Sequence, residues 1–261
     1  MQNILEVSNL SKIYIKQPVV DSVSFCVTPG TVLAVIGPNG AGKTTLLNMI
    51  CGALKTTSGT VRVFGLDATE NEIAIKKRMG IIPERQLLFD QLTCEEQIVF
   101  TASLYGLSLQ TAEMRMQEML DLFQLADHRH KRIGDLSQGM ARKVSFICAT
   151  IHDPELLIFD EPWQGLDPVA FQLVQDHLKQ FISRGRTMVI TSHNLSVVQN
   201  IANRVILIDA GRIILDSLMH DLTHHAKSIT DSDYPKDLQR LYLELIDTRK
   251  HRGVASWLKQ E

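Results

Sequence analysis

Gly37-Pro38-Asn39-Gly40-Ala41-Gly42-Lys43-Thr44 sets glycines, a lysine and a hydroxyl at the spacing G-x-x-x-x-G-K-[ST]. Glycines at these positions let the backbone curl so that successive N–H groups face inward and cradle phosphate oxygens. Lys43 adds a point charge for the β- and γ-phosphates, Thr44 offers a hydroxyl to Mg²⁺, and Thr45 continues the loop into a helix. The chemistry is the binding of a nucleoside triphosphate. Such a site needs a carboxylate at the end of a neighbouring buried strand, and Leu156-Leu-Ile-Phe159 runs into Asp160-Glu161. Asp160 is placed to hold Mg²⁺ through water, and Glu161 to polarise an attacking water as general base. Thr191-Ser-His193 ends another apolar run at the same edge, where ligands of open α/β sheets gather. His193 then donates to the γ-phosphate or to the water, the alternative being a structural histidine. Lys43, Glu161 and His193 are the candidate catalytic residues.

A second stretch also suits an anion. Asp135-Leu-Ser137-Gln138-Gly139-Met140-Ala-Arg-Lys143 reads as the start of a helix with outward-facing N–H groups. One nucleotide does not need two seats in one chain.

The elements that must position these residues follow from hydrophobic periodicity. Ile4 to Ile15 and Val19 to Val27 alternate as antiparallel strands do, whereas Thr31 to Ile36 is continuously apolar, as a strand buried on both faces requires. A helix from Lys43 to Cys51 and strands at Thr60 to Phe64 and Met79 to Pro83 come next. Thr93-x-x-Glu96 is a capping box opening a helix with Ile98, Ala102 and Tyr105 on one face. Further helices are expected at Glu113 to Phe123 and Gly139 to Ile151. Strands at Leu156 to Phe159, Thr187 to Thr191 and Arg204 to Ile208 then alternate with helices at Val169 to Ile182 and Leu195 to Ala202. This order predicts an α/β fold with a phosphate-loop core: a mostly parallel sheet, an N-terminal antiparallel β part, and a helical block inserted between the halves of the sheet. After a break at Asp231 to Pro235, Leu238, Leu241, Tyr242, Leu245 and Ile246 form an amphipathic stripe, expected to pack on the chain's own domain.

Composition narrows the function. The chain has 261 residues, 44% hydrophobic, 21% charged and a net charge of −2, so a protein built to grip nucleic acid is not expected. Lys76-Lys77-Arg78 reads as a solvated helix face. Cys26, Cys51, Cys94 and Cys148 show no C-x-x-C pairing and read as reduced, packed thiols. His220, His224 and His225 lack the carboxylates or cysteines that would complete a metal site. No window reaches the roughly 18 apolar residues of a membrane span. A cytoplasmic protein is expected, peripheral at the membrane where a partner is embedded in it.

These residues together resemble the ATPase subunit of an ATP-binding cassette (ABC) transporter, over roughly Ile4 to Leu215. Leu136-Ser137-Gln138-Gly139-Met140 is similar to that family's signature motif, about twenty residues before Asp160. Pro162-Trp163-Gln164-Gly165-Leu166-Asp167 resembles its D-loop, and His193 its switch histidine. Tyr14 falls where the family stacks an aromatic on adenine, the other reading being a packed strand tyrosine. The resemblance implies an ATPase domain over residues 1–216, with its helical subdomain at about 84–152, and a helical C-terminal extension over 217–261. It also implies ATP and Mg²⁺ as ligands and a second nucleotide-binding domain, identical or paralogous, docked head to tail. Each ATP would then lie between one chain's phosphate loop and the other's Ser137, Gln138 and Gly139, with Asp167 nearby. An integral membrane permease subunit would dock on the helical block, and the short Pro83-to-Thr93 segment resembles exporter cassettes. A soluble ABC ATPase without a membrane partner is the alternative. Three departures stand out: Gln138 replaces a glycine and Met140 a glutamine, Trp163 is bulky, and Glu84 occupies the place of the coupling glutamine that touches metal and water.

Overall fold

The computed structural model describes residues 2–161, 163, 165–222 and 238–247. In chain order the elements are β1 (Leu5–Tyr14), β2 (Gln17–Val27), β3 (Val32–Ile36), α1 (Lys43–Ile50), β4 (Ser58–Val63) and β5 (Leu66–Asp67). Then come α2 (Glu72–Lys76), β6 (Met79–Ile82), α3 (Cys94–Leu104), α4 (Leu109–Leu122), α5 (Gln138–Thr150) and β7 (Leu156–Asp160). The chain continues through α6 (Pro168–Ser183), β8 (Thr187–Thr191), α7 (Leu195–Ile201), β9 (Arg204–Asp209) and β10 (Arg212–Leu218). We label the helix Leu238–Asp247 α8.

Two sheets result. One is antiparallel, in the order β2-β1-β4-β5. The other runs β10-β9-β3-β8-β7-β6 and is parallel except for β10, which folds back on β9. β3, β7 and β8 are buried along their whole length. Their side chains alternate between two cores, as the period of two in a strand demands. Val32, Ala34 and Ile36 join Leu157, Phe159, Met188 and Ile190 under the helices of one face. Leu33 and Val35 join Ile158, Val189 and Ile206 against α1 and the antiparallel sheet on the other. That division explains the unbroken apolar run seen in sequence, and the expected fold class is the one observed.

The helical block is anchored by local chemistry first. Thr93 accepts from the Glu96 N–H at 3.2 Å while Glu96 accepts from the Thr93 N–H at 2.8 Å, so the capping box forms. α4 starts four residues before the expected Glu113, because Ser108 caps it through the Thr111 N–H at 3.2 Å. α5 is buried from Ala141 through Thr150 and ties this block to the sheet. β6 comes so close to it that a Cβ on Gly80 would lie 2.2 Å from the Ala149 carbonyl oxygen.

Some sequence expectations change. Arg78 is not part of a solvated face: it forks onto Glu155 at 2.6 and 2.9 Å and lies 3.8 Å from the Phe64 ring centroid. Lys76 and Lys77 follow the expectation: Lys77 is exposed, and Lys76 pairs with Glu72 one turn away. Cys51, Cys94 and Cys148 are buried, but Cys26 is exposed because it faces outward on β2. β10 was not anticipated. It forms through a two-residue turn with Ala210 at φ 47° and Gly211 at φ 78°, and runs to Leu218, past residue 216. The stripe on α8 packs inward: Leu238, Leu241 and Ile246 join the core that contains α7. His224, His225 and the break at 231–235 lie outside the described residues.

His152, just after α5, stacks on Tyr105 with ring centroids 3.6 Å apart, and its Nε2 lies 3.1 Å from the Met79 carbonyl. Burial pushes its imidazole down from 6.5 to about 4. Between those values the unfolded chain takes up a proton that the folded chain refuses, so this residue's stability contribution is lost as pH falls. From about pH 7.5 to about pH 5 the wild type should lose about 1–2 kcal/mol more than His152→Gln in urea unfolding. Equal losses in the two proteins would contradict this.

Candidate functional site

Because β3, β8, β7 and β6 are neighbours in that order, their carboxyl ends form one rim. The loop 37–45 leaves β3, Ser192-His193 leaves β8, Asp160-Glu161 closes β7, and Pro83-Glu84 leaves β6. The phosphate loop and both carboxylates are thus brought together by topology.

α1 is preceded at its N-cap by Gly42, at φ 102°, whose lack of a side chain leaves the first-turn N–H groups without a side-chain cap. A side chain here would also strike Val19, whose carbonyl oxygen would lie 2.4 Å from the Cβ. The uncapped N–H groups and the positive end of the helix suit a phosphate. Lys43 is buried and donates to the carbonyls of Gly37 at 2.8 Å and Pro38 at 3.1 Å. Burial lowers its pKa, and the charges of Glu161, Asp160 and Glu84 oppose that shift. Asn39 and Gly40 form the exposed tip, Ala41 donates to the Pro38 carbonyl at 3.1 Å, Thr44 is exposed and Thr45 half-buried.

Across the rim, Asp160 is buried and accepts from the Thr191 hydroxyl at 2.5 Å. The same hydroxyl accepts from the Glu161 N–H at 3.1 Å. Glu161 has φ 50°, in the left-handed region that is costly for a side chain with a Cβ. Its Oε2 lies 2.8 Å from His193 Nδ1 and 3.4 Å from the His193 N–H. The carboxylate is mostly buried and the imidazole mostly exposed, so one end of the pair faces the rim and the other faces solvent.

The Thr44 hydroxyl and the Asp160 carboxylate are hard oxygen donors of the kind Mg²⁺ prefers. Two protein ligands suit a cation that keeps waters and shares its shell with phosphates. The residues present therefore fit that ion. Glu84 lies near enough for its charge to act on Lys43 and Arg142.

Ser137 caps α5, accepting from the Met140 N–H at 3.2 Å. Ser137 and Gln138 are exposed and Gly139 half-buried, close enough to the D-loop that a Cβ on Gly139 would lie 3.1 Å from the Gly165 carbonyl oxygen. Gln86 donates to the Gln138 carbonyl at 3.2 Å. Among the described residues no hydrogen bond or ion pair joins residues 137–140 to the loop 37–45. Asp167 caps α6 through the Ala170 N–H at 2.8 Å, a bond that also lowers its pKa. Trp163 is buried edge-on against Phe171, with centroids 5.2 Å apart. Pro162 and Gln164 lie outside the described residues. Tyr14 stands at the end of β1, 44% exposed, with Lys12 Nζ 5.1 Å from its ring centroid, so it is not a packed strand tyrosine.

Two residues at the rim carried no sequence signal. Thr191 looked like the last residue of an apolar strand. Arg142 is one more residue of the stretch 135–143 in sequence, yet it is 3% exposed. Its Nη1 donates to the carbonyls of Pro83 at 2.8 Å and Glu84 at 3.1 Å. Its Nη2 donates to those of Asp160 at 3.2 Å and Glu161 at 2.8 Å. Burial lowers its pKa, opposed by the charges of Asp160, Glu84 and Glu161.

A family model described as "ABC transporter" matches residues 20–164. The Nod factor export ATP-binding protein I of Cupriavidus metallidurans is 35% identical over 222 residues, covering 85% of this chain and 73% of that one. A solved ATP-binding subunit of an ABC transporter superposes with a TM-score of 0.87 at 30% identity, covering 94% of this chain and all of the other. A dimeric ATP-binding cassette in a post-hydrolysis state, bound to ADP and Pi, shares the fold with a TM-score of 0.74 at 21% identity, over 82% of this chain and 98% of its own.

Replacing Thr191 by Val removes the hydroxyl that joins Asp160 to the Glu161 backbone without changing shape. Unfolding by urea should show a loss of about 1–3 kcal/mol, largely recovered in Thr191→Ser. A silent Thr191→Val would mean that the carboxylate needs no such partner.

Proposed function

The chain belongs to the ABC transporter family, and on that premise we propose that it hydrolyses ATP to drive a separate membrane-spanning chain, as an exporter subunit. The observation that carries the reading is the row of sheet ends with phosphate loop, His193, Asp160 and Glu161, to whose loop 37–45 the signature helix start is joined by no hydrogen bond or ion pair among the described residues. Export is supported by the name of the relative, and by the short segment between Pro83 and Thr93.

In this reading Lys43 exchanges the Gly37 and Pro38 carbonyls for the β- and γ-phosphate oxygens, and the uncapped N–H groups of α1 donate to the same phosphates. Thr44 and Asp160 would hold Mg²⁺, which when bound offsets the charge of the triphosphate. Glu161 takes a proton from water onto a carboxylate oxygen as the water oxygen bonds to the γ-phosphorus. The bond to the β-γ bridging oxygen breaks, giving ADP and inorganic phosphate. His193, 2.8 Å from Glu161 Oε2, fixes that carboxylate and presents its exposed edge to the γ-phosphate. Tyr14, half exposed, is available to stack on adenine.

The second anion seat serves a second chain. Ser137, Gln138 and Gly139 would close over the γ-phosphate held by the partner's loop, with Asp167 positioning the D-loop between the sites through its cap on α6. Two ATP molecules would then be sandwiched, and closing and opening would drive a permease docked on the helical block. Among the described residues no helix is long and apolar enough to cross a membrane. The permease would hold this chain at the cytoplasmic face. Glu84 would face the metal shell as a carboxylate where the family has an amide.

Glu161→Gln should lower ATP hydrolysis by about 10²–10⁴-fold and trap an ATP-dependent dimer on size-exclusion chromatography. A variant that elutes only as monomer with ATP and Mg²⁺ would overturn the sandwich. Glu84→Gln removes a negative charge beside Lys43 and should lower the KM for ATP. An unchanged KM and rate would leave Glu84 without a part in the site.

A further inference from the structure

Arg142 lies one turn into α5, the helix whose first residues form the proposed seat for the partner chain's phosphate. Its guanidinium does not reach that seat. It turns inward and is almost completely buried, with both terminal nitrogens used: one on the Pro83 and Glu84 carbonyls beyond β6, the other on the Asp160 and Glu161 carbonyls at the end of β7. A planar fork with several fixed donors can hold two strand ends in one plane, which neither a lysine nor a glutamine can do.

The residue at the end of this fork is the proposed base. Glu161 is held at φ 50°, a conformation that persists only where surrounding bonds over-determine it. Those bonds are its N–H to Thr191 and its carbonyl to Arg142. A movement of α5 relative to the sheet therefore moves the Glu161 backbone, and a reorganisation at Glu161 moves α5 in return. Reciprocity of this kind is required of any coupling between two sites. Gln86, bonded to the Gln138 carbonyl, adds a link from the segment after Glu84 to the same helix start.

We infer that Arg142 is the positioning residue through which the two nucleotide sites of the proposed dimer sense one another, joining the backbone of the chain's own proposed base, Glu161, to the signature helix that completes the partner's site. The inference rests on the proposed sandwich. It adds the route by which occupancy of one site is felt at the other, and it gives the route to a side chain that touches neither nucleotide.

Two measurements test it. In the wild-type chain, diluted until it is monomeric, ADP bound at the chain's own loop should slow amide hydrogen exchange in a peptide spanning Ser137 to Ser145 by about twofold or more. Unchanged exchange there would overturn the inference, whether or not any dimer forms. In the dimer, the Hill coefficient of ATP hydrolysis should fall from about 1.5–2 to about 1 in both Arg142→Lys and Arg142→Gln. Glu161→Gln/Arg142→Lys should still form the ATP-dependent dimer. A lowered kcat with an unchanged Hill coefficient would make Arg142 merely structural, and loss of the dimer in the double variant would place it in the seat itself. Absence of the dimer in Glu161→Gln alone would sink the sandwich reading first, which keeps the two failures apart.

Discussion

A parallel sheet has to be covered on both faces, and the rest of this structure follows from how that is done. The strands β3, β7 and β8 expose no side chain to water, so every alternate residue needs a partner layer. On one side the layer is α1 with the antiparallel sheet; on the other it is the helices from α3 onward. With both faces closed, only the ends of the strands remain open to a ligand. The carboxyl ends suit an anionic ligand because loops leave there into helix starts, where N–H groups have no intrahelical partner.

The same constraint decides which polar groups are held firmly. Asp160 sits at the last buried position of β7, where a bare carboxylate would be costly, and Thr191 on the adjoining strand offers it a hydroxyl. Arg142 solves the reverse problem. A buried guanidinium is tolerated because four carbonyls that the strand ends would otherwise leave open converge on it, with three acidic residues near. The rim is therefore a small polar network set into an apolar body, its members joined through backbone.

Features whose physics is local were legible in the sequence. The loop 37–45 and the Thr93 capping box each need only neighbouring residues to form, and each is found where the pattern puts it; the Asp160-Glu161 strand end was announced by the apolar run before it, although its partners are distant. The fold class was legible from the order of segments, since short apolar runs that alternate with helical patterns suit two-sided parallel strands. What escaped was non-local. Arg142 meets residues some 59 and 18 positions away, and Thr191 meets one 31 positions back, with no periodicity to announce either meeting. Arg78 looked solvated beside two lysines and instead found Glu155 and Phe64 across the fold. β10 was hidden by Ala210, a residue with little preference for the positive φ its turn requires.

The left-handed backbone at Glu161 has a consequence for how this protein would fail. A conformation of that kind stores about 1–3 kcal/mol, released as soon as the bonds holding it loosen. The working geometry is thus a local, metastable arrangement resting on a much more durable body. Under heat or mild denaturant the peptide at position 161 can relax into an ordinary extended shape while both cores stay packed. With Glu161 as the proposed base, such a molecule would look native by bulk probes and yet be inert, its ageing measured by lost turnover well before any melting transition.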